Sequence, residues 1–253
     1  EASFSTFVTA NELAARSSMV VFDAAGRAVY TLAKDDNGLA IVSKQVFDAI
    51  GRVIAHVDYA NTIAYTAGQT AAQVAGLLGV DTPSTQHLTQ YVYDVEGRLR
   101  FTIDDSGAVT EQRYDTLGRV ASTRQYMTPI SVGTVTEASV AAAVATQNQV
   151  HRVDNGYDAA GRLISATDTF GQVERYGYDA VGNRTSYTNK LGAVWTYIYD
   201  AAGRLTEEDS PPVIVARYQA GGLSIPTTAS SIKTTYTYDN LGRLKTKTEN
   251  AFT

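Results

Sequence analysis

Few side chains in this sequence could do acid–base or metal chemistry, and their spacing does not assemble them. Adjacent carboxylates occur at Asp35-Asp36, Asp104-Asp105 and Glu207-Glu208, and paired carboxylates can share a proton or hold a hard cation. The first two pairs lie in turn-like contexts, where Asp is wanted for a hydrogen bond to its own backbone. The third comes just before a loop. His56, His87 and His151 are scattered, with no partner at i+4 to make a ligand pair on a helix, and read as surface or edge residues. There is no cysteine, hence no disulfide, thiolate nucleophile or Cys-based metal site. Gly-x-Ser-x-Gly elbows, phosphate loops and dinucleotide fingerprints are missing too. These residues imply no catalytic site, no cofactor and no metal, and a chain that is not an enzyme.

Charge narrows the partners. Lys plus Arg is 21 against 26 for Asp plus Glu, a net −5, which is too mild to steer the chain to nucleic acid or an anionic membrane. The longest apolar stretch, Val140 to Ala145, is far shorter than the roughly 20 residues that span a bilayer. With 253 residues, 44% of them hydrophobic, a sizeable core is possible. The first residue is Glu1, with no initiator Met, and the last residues, Asn250 to Thr253, stop soon after a repeat begins, so the chain reads as a piece of something longer.

The elements that must carry these residues are set by a repeat. An aromatic, Asp, two free residues, Gly and usually Arg recur eight times. The copies begin with Phe22-Asp23 to Gly26-Arg27, Phe47-Asp48 to Gly51-Arg52, Tyr93-Asp94 to Gly97-Arg98 and Tyr114-Asp115 to Gly118-Arg119. They continue with Tyr157-Asp158 to Gly161-Arg162, Tyr178-Asp179 to Gly182-Asn183, Tyr199-Asp200 to Gly203-Arg204 and Tyr238-Asp239 to Gly242-Arg243. Successive Asp residues are 25, 46, 21, 43, 21, 21 and 39 apart, so the unit is 21 residues and longer gaps hold insertions.

A second turn signal, at Asp104 to Gly107, Asp168 to Gly171 and Asn189 to Gly192, divides each unit into two strands of six or seven residues. The motif suits a type I turn followed by a left-handed residue, with Asp leading and Gly taking the positive φ. Asp158 and Arg162 then face each other across the loop, while Tyr157 meets Leu163. Tyr176 and Tyr178, Tyr197 and Tyr199, Tyr91 and Tyr93, and Tyr236 and Tyr238 are each two apart and share a sheet face.

Tyr-Asp-x-x-Gly-Arg at a 21-residue period resembles the tyrosine–aspartate, or RHS, repeat. The resemblance covers nearly the whole chain outside the insertions. It implies an all-β antiparallel hairpin array that curls into part of a spiral shell, of the kind found in bacterial Rhs polymorphic toxins, the B and C components of Tc toxins, and teneurins. Such a shell encloses a cargo, often a C-terminal toxin or effector domain, and is secreted or displayed on the bacterial surface. The motif residues are then structural. No Asp-Pro-Xaa-Gly segment like the one that supports self-cleavage in RHS cores is present, so self-cleavage is not expected. Phe22 and Phe47 replace Tyr, and Asn183 replaces Arg.

The chain is expected to form a single array over residues 1–253 with roughly sixteen strands, interrupted by insertions at about 60–90, 128–149 and 211–232. The first two look helical. Thr134 with Glu137 has capping-box spacing before the Ala-rich run Ala138 to Thr146, and Thr70 to Leu78 resembles it. Pro211, Pro212, Gly221, Gly222 and Pro226 argue for an irregular loop in the third. Asn183-Arg184-Thr185 forms a glycosylation sequon, which in a turn of a bacterial chain carries little weight. The rival reading is a surface adhesin whose repeated aromatics present a glycan-binding face.

Overall fold

A computed structural model describes residues 17–35, 37–79, 86–213, 217–219, 222–224 and 229–251. The fold is antiparallel β hairpins with two short helices. Nineteen strands are present among the described residues. Three of them lie within insertions, leaving the sixteen expected from two per repeat. The chain divides into two compact units, Glu1–Arg113 with Arg124–Val150, and Tyr114–Thr123 with His151–Thr253.

In the first unit, β1 (Ser18–Phe22), β2 (Ala28–Lys34), β3 (Leu39–Phe47) and β4 (Val53–Tyr59) pair in sequence. The short β5 (Ile63–Ala64) takes over the start of β3, at Leu39 and Ala40. Helix α1 (Ala71–Leu78) follows, and β6 (Gln86–Tyr93) returns to pair with β4. Then come β7 (Leu99–Ile103) and β8 (Val109–Tyr114). β9 (Val120–Tyr126), whose first residues belong to the second unit, leads to helix α2 (Glu137–Val144).

Alternation along these strands drives one face into a core, because successive side chains point to opposite sides of a sheet. Leu32, Ala40, Val42 and Val57 are buried under Val74 of α1. Val92, Phe101, Ile103, Val109 and Tyr126 are buried under Val140 and Val144 of α2. Each helical insertion is therefore a lid over one stretch of sheet. Glu111 is 1% exposed in the second cluster. It accepts from Tyr126 Oη at 2.7 Å and lies 2.9 Å from Arg113 Nε and 3.3 Å from Arg100 Nη2. Arg100 also pairs with Glu137 at the start of α2, tying that helix to the sheet.

The second unit holds β10 (Val150–Tyr157), β11 (Leu163–Asp168), β12 (Val173–Tyr178), β13 (Arg184–Thr188), β14 (Val194–Tyr199) and β15 (Leu205–Asp209), each pairing with the next. β15 pairs with β18 (Ile232–Tyr238), and β18 with β19 (Leu244–Ala251). Register places Tyr176 opposite Tyr187 and Tyr187 opposite Trp195. Their rings stack at 5.5 and 5.4 Å between centroids, with interplanar angles of 23° and 30°.

The insertions differ from expectation in two details. α1 is capped by Thr70, with Gln73 closing the capping box, as the sequence suggests. The cap of α2, however, is Thr136 with Ser139, and not Thr134 with Glu137. Ser139 wins because its short hydroxyl reaches both the Thr136 N–H and the Thr134 carbonyl. The third insertion is not wholly irregular, since β16 (Arg217–Gln219) and β17 (Gly222–Ser224) form a hairpin within it.

Candidate functional site

The repeated turn is the feature that the sequence singles out, and it is built the same way each time. In the Tyr157 copy, Asp158 N–H donates to the Arg162 carbonyl at 3.0 Å and Gly161 N–H to the Asp158 carbonyl at 3.0 Å. Gly161 has φ 83°, where a Cβ would be strained. The Asp158 carboxylate closes the loop, accepting from Arg162 N–H at 2.8 Å and from Arg162 Nε at 2.7 Å. Tyr157 sits opposite Leu163 across a bulge, as the motif spacing implies. Equivalent Asp-to-Arg bonds occur at Asp23, Asp48, Asp94, Asp115, Asp200 and Asp239.

Those bonds shift the carboxyls. The Arg162 amide and then its guanidinium hold Asp158 below the ordinary carboxylate range. At Asp200 the Arg204 guanidinium acts first and its amide second, in the same direction. Burial pushes Asp179 upward, but bonds from the Asn183 side chain and amide outweigh it.

Sequence reasoning treated each turn as a closed device and missed what joins one repeat to the next. Five motif arginines reach over the ring of the following repeat. Arg27 lies 5.0 Å from the Phe47 ring centre, Arg52 4.5 Å from Tyr93, Arg119 4.6 Å from Tyr157, Arg162 4.9 Å from Tyr178 and Arg204 4.8 Å from Tyr238. A contact of this type contributes about 0.5–1 kcal/mol at exposed sites. The same guanidinium donates to the next motif's Asp carbonyl, as Arg27 does to Asp48, Arg119 to Asp158 and Arg162 to Asp179.

The tyrosine hydroxyls complete the link by donating backward to a strand carbonyl of the preceding repeat. Tyr93 bonds to Val53, Tyr157 to Val120, Tyr178 to Leu163, Tyr199 to Arg184 and Tyr238 to Leu205, at 2.7 to 3.0 Å. The available signal was the i+6 spacing from the motif ring to the residue, aliphatic in most copies, whose carbonyl lies beside the next ring. Phe47 keeps its arginine cover but has no hydroxyl to donate. Asn183 still binds Asp179, through Nδ2 at 2.9 Å, yet is too short to reach Tyr199.

The second turns use the same closure without arginine: Asp104, Asp168 and Asn189 each accept two backbone N–H groups. Asp35 does likewise, so Asn37-Gly38, which the sequence marks simply as a turn, has the same closure. Asp36 lies outside the described residues. Of the other paired acids, Asp105 meets His87 at 2.7 Å, Glu207 binds Lys233 and Glu208 accepts from Tyr236. Among the described residues no three His, Asp or Glu side chains gather as metal ligands, and no helix is long and apolar enough to cross a membrane. Glu174 accepts from Tyr187 at 2.7 Å, and that bond, with partial burial, pushes the Tyr187 hydroxyl up to about 12.

The family model described as RHS Repeat matches residues 157–194 and 178–211. No curated protein matches the sequence significantly. Among solved structures, the chain is similar to TcdB2-TccC3 without its hypervariable C-terminal region, at 17% identity and a TM-score of 0.50, over 93% of this chain and 13% of that one. It is also similar to a chain of the Photorhabdus luminescens Tc holotoxin pore, at 19% identity and a TM-score of 0.49, over 92% of this chain and 12% of the other. The chain thus spans about an eighth of the solved chains it resembles, and the first of these likenesses shows the same hairpin fold. The RHS Repeat match thus covers residues 157–211, and the same turn motif and 21-residue period recur along the chain outside them.

Proposed function

We propose that this chain is a wall segment of an RHS shell that encloses a C-terminal toxin or effector domain of its parent protein and helps to deliver it. The observation that carries the reading is the repeat-to-repeat link of arginine over ring and tyrosine to carbonyl. A wall must hold its register over many strands without a thick core behind it. Links that pass from one turn to the next at five joints, such as Arg162 over Tyr178, supply that order. The array acts as one structural segment with no catalytic role, in a protein that works outside the bacterial cell. The named toxin structures support this setting by their fold.

The adhesin reading relies on exposed ring faces. In the Tyr176, Tyr187 and Trp195 ladder the rings turn their faces to one another, and the motif rings of Tyr93, Tyr157, Tyr178 and Tyr238 are covered by arginine. Few faces are left for a sugar to stack on, which favours the container. The test compares the parent protein with and without this segment, measuring protease protection of its C-terminal domain. Loss of protection on deletion is expected. Unchanged protection, or specific micromolar glycan binding by the segment, would overturn the proposal.

A further inference from the structure

The sixth repeat breaks the link in a chemically specific way. At five other joints an arginine lies over the next ring. At three of them its Nη1 also comes within 3.6 to 4.0 Å of where a Cβ on the motif glycine would lie, at Gly97, Gly161 and Gly242. The same place at the seventh motif, bounded by the Tyr199 ring, the Asp200 carbonyl and Gly203, receives only Asn183. Asn183 Oδ1 is 3.5 Å from the corresponding position at Gly203, while its Nδ2 is committed to Asp179. Among the described residues no guanidinium lies over the Tyr199 ring, although the Arg184 charge acts on the Tyr199 hydroxyl. Arg184, the nearest alternative, lies over Tyr197 at 5.0 Å and Tyr187 at 5.9 Å instead.

We infer that the Tyr199, Asp200 and Asn183 surface is a receptor for an arginine side chain carried by another polypeptide segment. The chemistry is that of the filled copies. An aromatic face accepts a planar cation, and the Asp200 carbonyl stands where Asp48, Asp158 and Asp179 take a guanidinium N–H. Asn183 Oδ1 adds an acceptor that the filled copies lack. The Asp179 carboxylate beside it supplies the opposite charge. Lysine fits less well, because its single ammonium cannot lie flat on the ring and reach two acceptors together. This inference does not depend on the shell reading, since it rests on copies of one site within one chain.

The experiment titrates the intact chain with N-acetyl-arginine amide and follows the backbone amides of residues 200–203 by nuclear magnetic resonance. Saturable shifts confined to these amides are expected, with millimolar affinity. The neutral citrulline analogue should give none. Asn183→Arg should fill the place from within and abolish the shifts, while its spectrum elsewhere shows the chain folded. Tyr199→Leu should abolish them by removing the ring. Equal shifts with citrulline, persistence in Asn183→Arg, or no saturable response at all would overturn the inference.

Discussion

Gly107 and Gly192 occupy the same position in second-type turns, with φ of 85° and 80°. Replacing either by alanine forces a Cβ into the left-handed region, at about 1–2 kcal/mol. At Gly192 nothing lies within 4 Å of the new atom, so the cost should stop there. At Gly107 the Cβ would fall 2.3 Å from the Ile130 carbonyl oxygen and 3.2 Å from Ile130 N. Backbone must move away, and the bond from Ile130 N–H to the Gly107 carbonyl, now 2.8 Å, stretches or breaks. Losing it adds about 1 kcal/mol, with more from displacing the segment that leads to α2. Gly107→Ala is therefore expected to cost about 1–2 kcal/mol more than Gly192→Ala. Urea denaturation gives the difference, and limited proteolysis near residue 130 reports release of the insertion. Equal midpoints together with unchanged cleavage would refute the idea that the second insertion is pinned to the array through Gly107.

Three further outcomes are expected. Gly161→Val should destabilise by more than about 1 kcal/mol beyond Ala160→Val, because a β-branched residue at positive φ is strongly disfavoured; matching denaturation midpoints would contradict the turn geometry. Glu111→Ala should cost about 2–4 kcal/mol, since it strands Tyr126 Oη in the core and leaves Arg100 and Arg113 without their shared acceptor; a loss under 1 kcal/mol in the same assay would show that the cluster is dispensable. Finally, the motif Asp carboxyls are depressed below their unfolded value of about 3.9, so the folded state holds fewer protons there than the unfolded one. Their contribution is complete above that value and is lost as pH falls through the depressed ones. Stability measured from pH 7 downward should hold to about pH 5 and then drop, and Asp158→Asn with Asp200→Asn should flatten the drop.

The same physics explains why the helical insertions sit where they do. Strands of the first unit carry two buried apolar clusters, one with Leu32, Val42 and Val57 and the other with Phe101 and Val109, which would be unfavourable to leave in water. α1 and α2 cover them with valines. Strands of the second unit present tyrosines whose hydroxyls have partners, as Tyr187 does with Glu174, and such a face tolerates partial exposure.

Local chemistry was legible from residues alone. Asp, Gly and Arg at fixed offsets determine the loop, because closing it takes only a carboxylate, a positive φ and one cross-loop cation, all within six consecutive residues. Strand lengths, two helices and the family resemblance followed from that period. Three things needed the fold. Ser139 displaced Glu137 in the α2 cap, because several polar residues compete there and only the approach of the backbone chooses between them. Glu111 became a buried carboxylate, since its strand position placed it inward and Arg100 and Tyr126 converged on it from other strands, joined by Arg113 of its own strand. Arg162 met Tyr178, sixteen residues on, because hydrogen-bonded strands between them fold the chain back at a fixed spacing. A pattern along the chain specifies a turn, whereas the distance between two turns is set by the sheet that lies between them.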